Sequence, residues 1–115
     1  MDYGSVSDPI IHIMAPGAGG AWVKIGETEV KKDTLNPDFA KSTIMDYFFE
    51  KVQPMRLEVF DKDPSKLEYI GGCDATLGKI AGARNQTFLS ELKNKKGHKT
   101  GHIIVRAESV KASNN

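Results

Sequence analysis

The sequence predicts an all-β fold, an antiparallel β-sandwich of seven to eight strands with one short helix near residues 78–84. Three observations lead there. Short apolar runs recur along the chain, each bounded by Gly, Pro, Asn or Asp turn signals. No segment carries the apolar stripe of a long amphipathic helix. At 115 residues the chain has the length of one domain, enough to bury roughly two thirds of its unfolded surface around a single core. Strands with one apolar face and no helices to cover them reach that core by packing sheet on sheet.

Taken in order, Asp8-Pro9 leads into the first strand, Ile10 to Met14. Ala15 to Gly20 is a turn by composition, and Trp22 to Val30 resumes a strand, so the pair reads as a hairpin. Its glycines are not a phosphate loop, which needs Gly-Lys-Ser/Thr before a helix, whereas Ala21-Trp22 opens a strand. Lys31 to Phe39 connects, with Asn36-Pro37 as its turn signal, and Ser42 to Phe49 is the next predicted strand. Tyr47, Phe48 and Phe49 lack interleaved arginines, which assigns them to packing rather than to base stacking. After Gln53-Pro54 comes the central strand, Leu57 to Phe60. Ile70 to Leu77 follows as a strand, Gly78 to Arg84 as a short helical or irregular crossover, and Thr87 to Leu92 as a further strand or turn. Lys93 to Lys99 is a basic loop, and Gly101 to Ala107 closes the fold. The domain is expected over 1–110, with a frayed tail at 111–115.

Composition narrows the function classes. With 16 Lys+Arg against 15 Asp+Glu the formal net charge is +1, so nothing points to a nucleic-acid partner, and any electrostatic function must come from segregated patches. A lone cysteine, Cys73, excludes an internal disulfide and fits a reducing, cytoplasmic setting. No apolar run approaches the roughly 18 residues of a membrane span. The 3 histidines, His12, His98 and His102, offer no convergent nucleophile and base, so no enzyme is expected. His98 and His102 stand in a glycine-flanked basic loop and read as a solvated turn rather than a zinc site.

The stretch that carries chemistry follows the central strand: Asp61-Lys62-Asp63-Pro64-Ser65-Lys66-Leu67-Glu68. Carboxylates gathered where a strand stops repel one another, and a hard cation with oxygen ligands is one reason to gather them; a solvated acidic turn is the other. An EF-hand is excluded, because its sixth and twelfth positions would fall on Lys66 and Gly72.

Four landmarks occur in order: Ser7-Asp8-Pro9, Leu35-Asn36-Pro37, Asp61-Lys62-Asp63 and Tyr69-Ile70-Gly71. On these the chain resembles a C2 domain. Thr28-Glu29-Val30, Asn36 to Phe39, Asp46 to Gln53 and Cys73 to Ile80 are similar to the first C2 domain of copines. The resemblance implies a calcium-dependent module that docks on anionic phospholipid membranes as a peripheral protein. It implies calcium ligands at Asp2 and Asp8 in the first loop and at Asp61 and Asp63 in the third, with Glu68 where the family often has aspartate. Tyr3, Val6 and Leu67 are the implied membrane-contact residues. Lys24, Lys31 and Lys32 stand on strands where relatives carry phosphoinositide-binding lysines, with a solvated strand face as the alternative. A protein-interaction C2 domain without a working metal site is the second reading. In the family a strand precedes the first calcium loop, whereas Met1 stands directly before Asp2, so an open sheet edge is expected, filled by a homo-oligomer or a strand swap. Copines also carry a second C2 domain and a von Willebrand-type A domain, and the partners of those domains are not implied here.

Overall fold

The computed structural model describes residues 8–32 and 37–110. Its strands are β1 (Pro9–Pro16), β2 (Trp22–Glu27), β3 (Pro54–Lys62), β4 (Leu67–Thr76), β5 (Thr87–Lys93) and β6 (Lys99–Arg106), with a short helix, α1 (Leu77–Ala81). All neighbours are antiparallel, in the order β2-β1-β3-β4-β5-β6.

β3 is central because its alternation is strict. Met55, Leu57 and Val59 are buried while Arg56, Glu58 and Phe60 face the other way. β1 lies beside it in the register Ile11↔Val59 and Ile13↔Leu57, which puts the apolar sets of both strands on one face. The step from β4 to β5 is a single register pair, Gly72↔Lys93, and there the sheet folds over. Leu92 of β5 and Ile103 of β6 consequently pack on Ile11, Leu57 and Val59. Val59 and Leu92 are fully enclosed, each worth about 1.5–3 kcal/mol of apolar burial. A four-stranded layer and a two-stranded layer thus enclose one core, the expected sandwich, with six strands among the described residues.

α1 seals the lower end of the core. Thr76 Oγ1 accepts from the Lys79 N–H at 3.2 Å as the N-cap, and Leu77 and Ile80 pack on Met55. The Gly82 N–H closes the helix onto Gly78 O at 2.9 Å.

Four expectations are corrected. Ser42–Phe49 is not a strand: the segment carries no ladder with any described residue. Side chains hold it instead, with Met45 in the cluster around Met55. Glu29 accepts from the Ala40 and Lys41 amides at 2.7 and 3.1 Å, and Gln53 bridges Phe48 N and Asp46 O. A strand pattern without a neighbour to bond leaves the backbone irregular. β2 ends at Glu27 rather than at Val30, because Thr28 turns inward and its Oγ1 accepts the Ile11 N–H at 2.9 Å. The chain stays against β1 through Lys31 N to Pro9 O at 3.1 Å. β3 runs on to Lys62 and β4 starts at Leu67, so Asp61, Leu67 and Glu68 are strand residues and the connecting turn is only 63–66. The crossover after β4 is helical only to Ala81; a separate 3₁₀ turn covers Arg84–Gln86.

Candidate functional site

The end of β3 meets the start of β1 in the pair Pro9↔Asp61, and there two of the candidate residues, Asp8 and Asp61, come into contact. The Asp8 N–H donates to Asp61 Oδ1 at 2.9 Å, and the Lys62 N–H donates to Asp8 O at 2.9 Å. On its other side Asp61 pairs with Glu68 across β3 and β4. Asp61 and Glu68 are thus opposed across β3 and β4, with Asp8 just ahead of β1 at the same end, an acidic row along three neighbouring segments. Directly opposed carboxylates repel, and Lys66 Nζ lies 3.6 Å from Glu68 Oε1 in partial compensation.

Asp63 organises the turn. Its Oδ1 accepts from the Ser65 N–H and Ser65 hydroxyl at 3.0 Å each and from the Lys66 N–H at 2.9 Å, while its own N–H donates to Lys66 O. The Ser65 amide first, with the other donors, holds the Asp63 carboxyl below the usual carboxylate range. All three side-chain bonds fall on Oδ1, so Oδ2 is the atom that a cation would meet. Among the described residues no three His, Cys, Asp or Glu side chains converge as a metal-holding group. The donor chemistry nevertheless fits a hard cation, with acid oxygens and backbone carbonyls at one end of the sandwich. Asp2, Tyr3 and Val6 lie outside the described residues. Leu67 is exposed at the foot of β4.

The three lysines read as a phosphoinositide patch are not gathered. Lys24 sits opposite Met14 and forms an ion pair with Glu27. Lys31 bonds beside Pro9 and lies 3.6 Å from Glu29. At ~3.4 Å per residue, that places Lys24 and Lys31 about 17 Å apart along β1. Lys32 is exposed in the following turn.

Sequence reasoning missed the outer face of the four-stranded layer. Arg56 forms a two-bond pair with Asp74 at 2.7 and 3.1 Å and stacks over Trp22 at 4.4 Å. His12, Phe60 and Tyr69 follow in ring contact at 4.7 and 5.6 Å. Burial, then the Lys24 charge, lowers the His12 pKa. The available signal was the alternation of Arg56, Glu58 and Phe60 with the core residues of β3. The basic loop was legible, but not its position: antiparallel pairing carries the β5–β6 turn alongside β4, and Lys95 Nζ lies 5.6 Å from the Tyr69 ring centre.

The antiparallel sandwich is accompanied by a sequence profile match over residues 1–96, and the chain belongs to the C2 domain family. The fold agrees with a solved structure, BON1-C2B, at a TM-score of 0.60 over 91% of this chain and 82% of that one, with 21% sequence identity. Among characterised proteins the chain is similar to two copines of Dictyostelium discoideum. It is 34% identical to Copine-A over 107 residues, 93% of this chain and 18% of that protein. It is 38% identical to Copine-B over 120 aligned positions, 96% of this chain and 22% of that protein. The chain thus spans about a fifth of the length of these relatives. No helix among the described residues is long and apolar enough to cross a membrane.

Proposed function

We propose that this C2 domain docks on anionic phospholipid membranes in response to calcium, through the end that carries Asp8, Asp61, Asp63 and Glu68, with Asp2 as a further ligand. The supporting observation is the apposition of Asp8 and Asp61, residues 53 apart in the sequence, where a strand start and a strand end meet. The β1–β3 ladder brings the Asp8 backbone amide onto the Asp61 carboxylate, which supports a shared cation site at this end. Asp63 presents Oδ2 from a turn made rigid by its Oδ1, and Glu68 extends the row.

Without a cation these carboxylates face an anionic bilayer with like charge, and repulsion weakens docking at this end. Bound calcium, which takes six to eight oxygens, would cancel that charge and accept lipid phosphate into its shell. The chain's own part is to position the acids, while Leu67, with Tyr3 and Val6, enters the interface. Recruitment from the cytoplasm to membranes follows from the same electrostatics.

The test is calorimetric titration with calcium together with sedimentation on phosphatidylserine vesicles. Wild type should bind in both, and Asp61→Asn with Asp63→Asn should lose the calcium heat and the calcium-dependent gain in sedimentation while keeping its circular dichroism. A folded wild type that releases no heat and stays in the supernatant refutes the reading. A calcium-independent protein-interaction domain is then favoured, on the observation that β6 has no second ladder partner among the described residues. Such an edge recruits strands, so that outcome should come with a dimer in light scattering.

A further inference from the structure

The turn joining β5 and β6 concentrates positive charge: Lys93, Lys95, Lys96 and Lys99, with His98 among them. Its backbone is well determined. Asn94 Oδ1 accepts from the Lys96 and His98 amides at 3.0 Å each, Asn94 N donates to His98 O at 2.9 Å, and Gly97 donates to Asn94 O at 2.9 Å. Gly97 takes φ +84°, a left-handed position suited to glycine. The lysines are thereby carried on a defined tip rather than on a loose loop.

Little of this charge is neutralised. Lys99 pairs with Glu91 at 3.2 Å, whereas Lys93, Lys95 and Lys96 have no ion-pair partner among the described residues. Topology then decides where the charge stands. β4 begins at Leu67 and pairs with β5 at Gly72↔Lys93, so residues after Lys93 continue towards Tyr69 and Leu67. Lys95 over the Tyr69 ring confirms that direction. The basic tip is therefore at the same end as Asp8, Asp61, Asp63 and Glu68, beside the exposed Leu67.

We infer that the β5–β6 hairpin is a second membrane contact, one that needs no calcium: Lys93, Lys95 and Lys96 bind the anionic surface of a lipid bilayer next to the acidic row. The inference deepens the docking reading above and rests on it for the orientation of the domain. A bilayer fits better than the other polyanions. Lys95 and Lys96 are exposed on the hairpin turn and Lys93 at the rim of the shallow cleft beside Tyr69 and Glu91, the exposed Leu67 begins the strand they flank, and a formal net charge of +1 gives no field for steering to nucleic acid. In the absence of calcium the lysines attract the surface that the carboxylates repel, which leaves a weak attachment sensitive to salt beyond the ~8 Å Debye length. When the carboxylates are neutralised the same lysines add to the bound state.

The experiment measures partition onto phosphatidylserine vesicles in chelator, at low and at raised salt. Wild type should bind at low salt and release at high salt. Lys93→Gln with Lys95→Gln and Lys96→Gln should weaken this binding about a hundredfold, from about fivefold per lysine near an anionic surface. Asn94 and Gly97 are kept, and the thermal unfolding of the variant should match that of wild type. Asp61→Asn with Asp63→Asn, which removes two negative charges and keeps an acceptor oxygen at each position, should bind as well as wild type in chelator or better. Equal binding by wild type and the lysine variant overturns the inference, as does wild type that binds with calcium but not in chelator; either result leaves the calcium switch standing. Chelator binding that depends on the lysines, with no gain from added calcium, supports the hairpin contact and sinks the switch. Binding to single-stranded DNA or an acidic peptide that displaces the vesicles overturns the choice of a bilayer.

Discussion

Gly71 offers a sharp test of the joint between the two layers. It precedes Gly72, the β4 residue paired to β5, and its missing side chain makes room for the second layer. A Cβ there would overlap Thr100 Oγ1 and press at 3.3 Å on both Leu92 Cβ and Lys93 O. Leu92 is fully buried and Lys93 O belongs to the joint, so neither yields freely. Gly71→Ala should cost about 2 kcal/mol, within the ~1–3 kcal/mol range for an overpacked core. At about 4 °C per kcal/mol for a domain of this size, the melting temperature should fall by about 8 °C. Thr100→Ala alone should cost little, because the buried Thr100 hydroxyl has no hydrogen-bond partner among the described residues and its removal relieves a desolvated group. In the double variant the Oγ1 overlap is gone, and a coupling of at least about 1 kcal/mol should appear in urea unfolding. Gly71→Ala melting with wild type refutes the packing argument, and so do effects that add to within about 0.5 kcal/mol.

Two further outcomes follow from titratable groups. Glu29 is held at a pKa of about 2, against an ordinary 4.5, chiefly by the Ala40 amide and then by other backbone donors including Lys41. Because the folded value is depressed, the tether is intact above about pH 4.5 and is lost as pH falls towards about 2. Glu29→Gln should flatten that part of the acid unfolding curve and speed amide exchange at Ala40 and Lys41; unchanged exchange would show that the carboxylate does not hold this segment. Burial raises the Cys73 thiol pKa, so the folded protein should react slowly with a disulfide reagent near pH 8 and quickly in urea. Equal rates would contradict the burial.

The parts of the fold legible in the sequence are those decided by local alternation. Met55, Leu57 and Val59 announce a strand and its buried face, and Ile11 and Ile13 announce its neighbour. Ser42–Phe49 misled because a strand pattern records propensity, while a ladder needs an adjacent edge, which depends on topology. The acidic row shows the same division. Asp8 and Asp61 stood out through the family's landmarks, and their contact follows from the β1–β3 register. The extension of β3 to Lys62 was hidden behind a charged, proline-containing stretch that reads as loop. Asp63-Pro64-Ser65 carries the composition of an Asx-type turn, and that signal could have shown Oδ1 engaged within its own turn. The adjacency of the basic hairpin to the acids had no local signal, since it arises from one antiparallel pairing far along the chain.

The separation between Asp8 and Asp61 also orders events in time. Hairpins such as β3–β4 and β5–β6 close short loops and form within microseconds. Bringing β1 to β3 closes 53 residues of chain, at an entropic cost of about 3.5 kcal/mol for the length-dependent part. That closure is repaid only when Ile11 and Ile13 meet Val59 and Leu57, so it belongs to the rate-limiting collapse rather than to the early hairpins. A chain emerging from the ribosome therefore has no acidic row until β3 and β4 are out and β1 has docked on β3. The capacity to concentrate negative charge at one end is acquired in the same step that joins the apolar faces of β1 and β3, and chains that have not made that contact lack it.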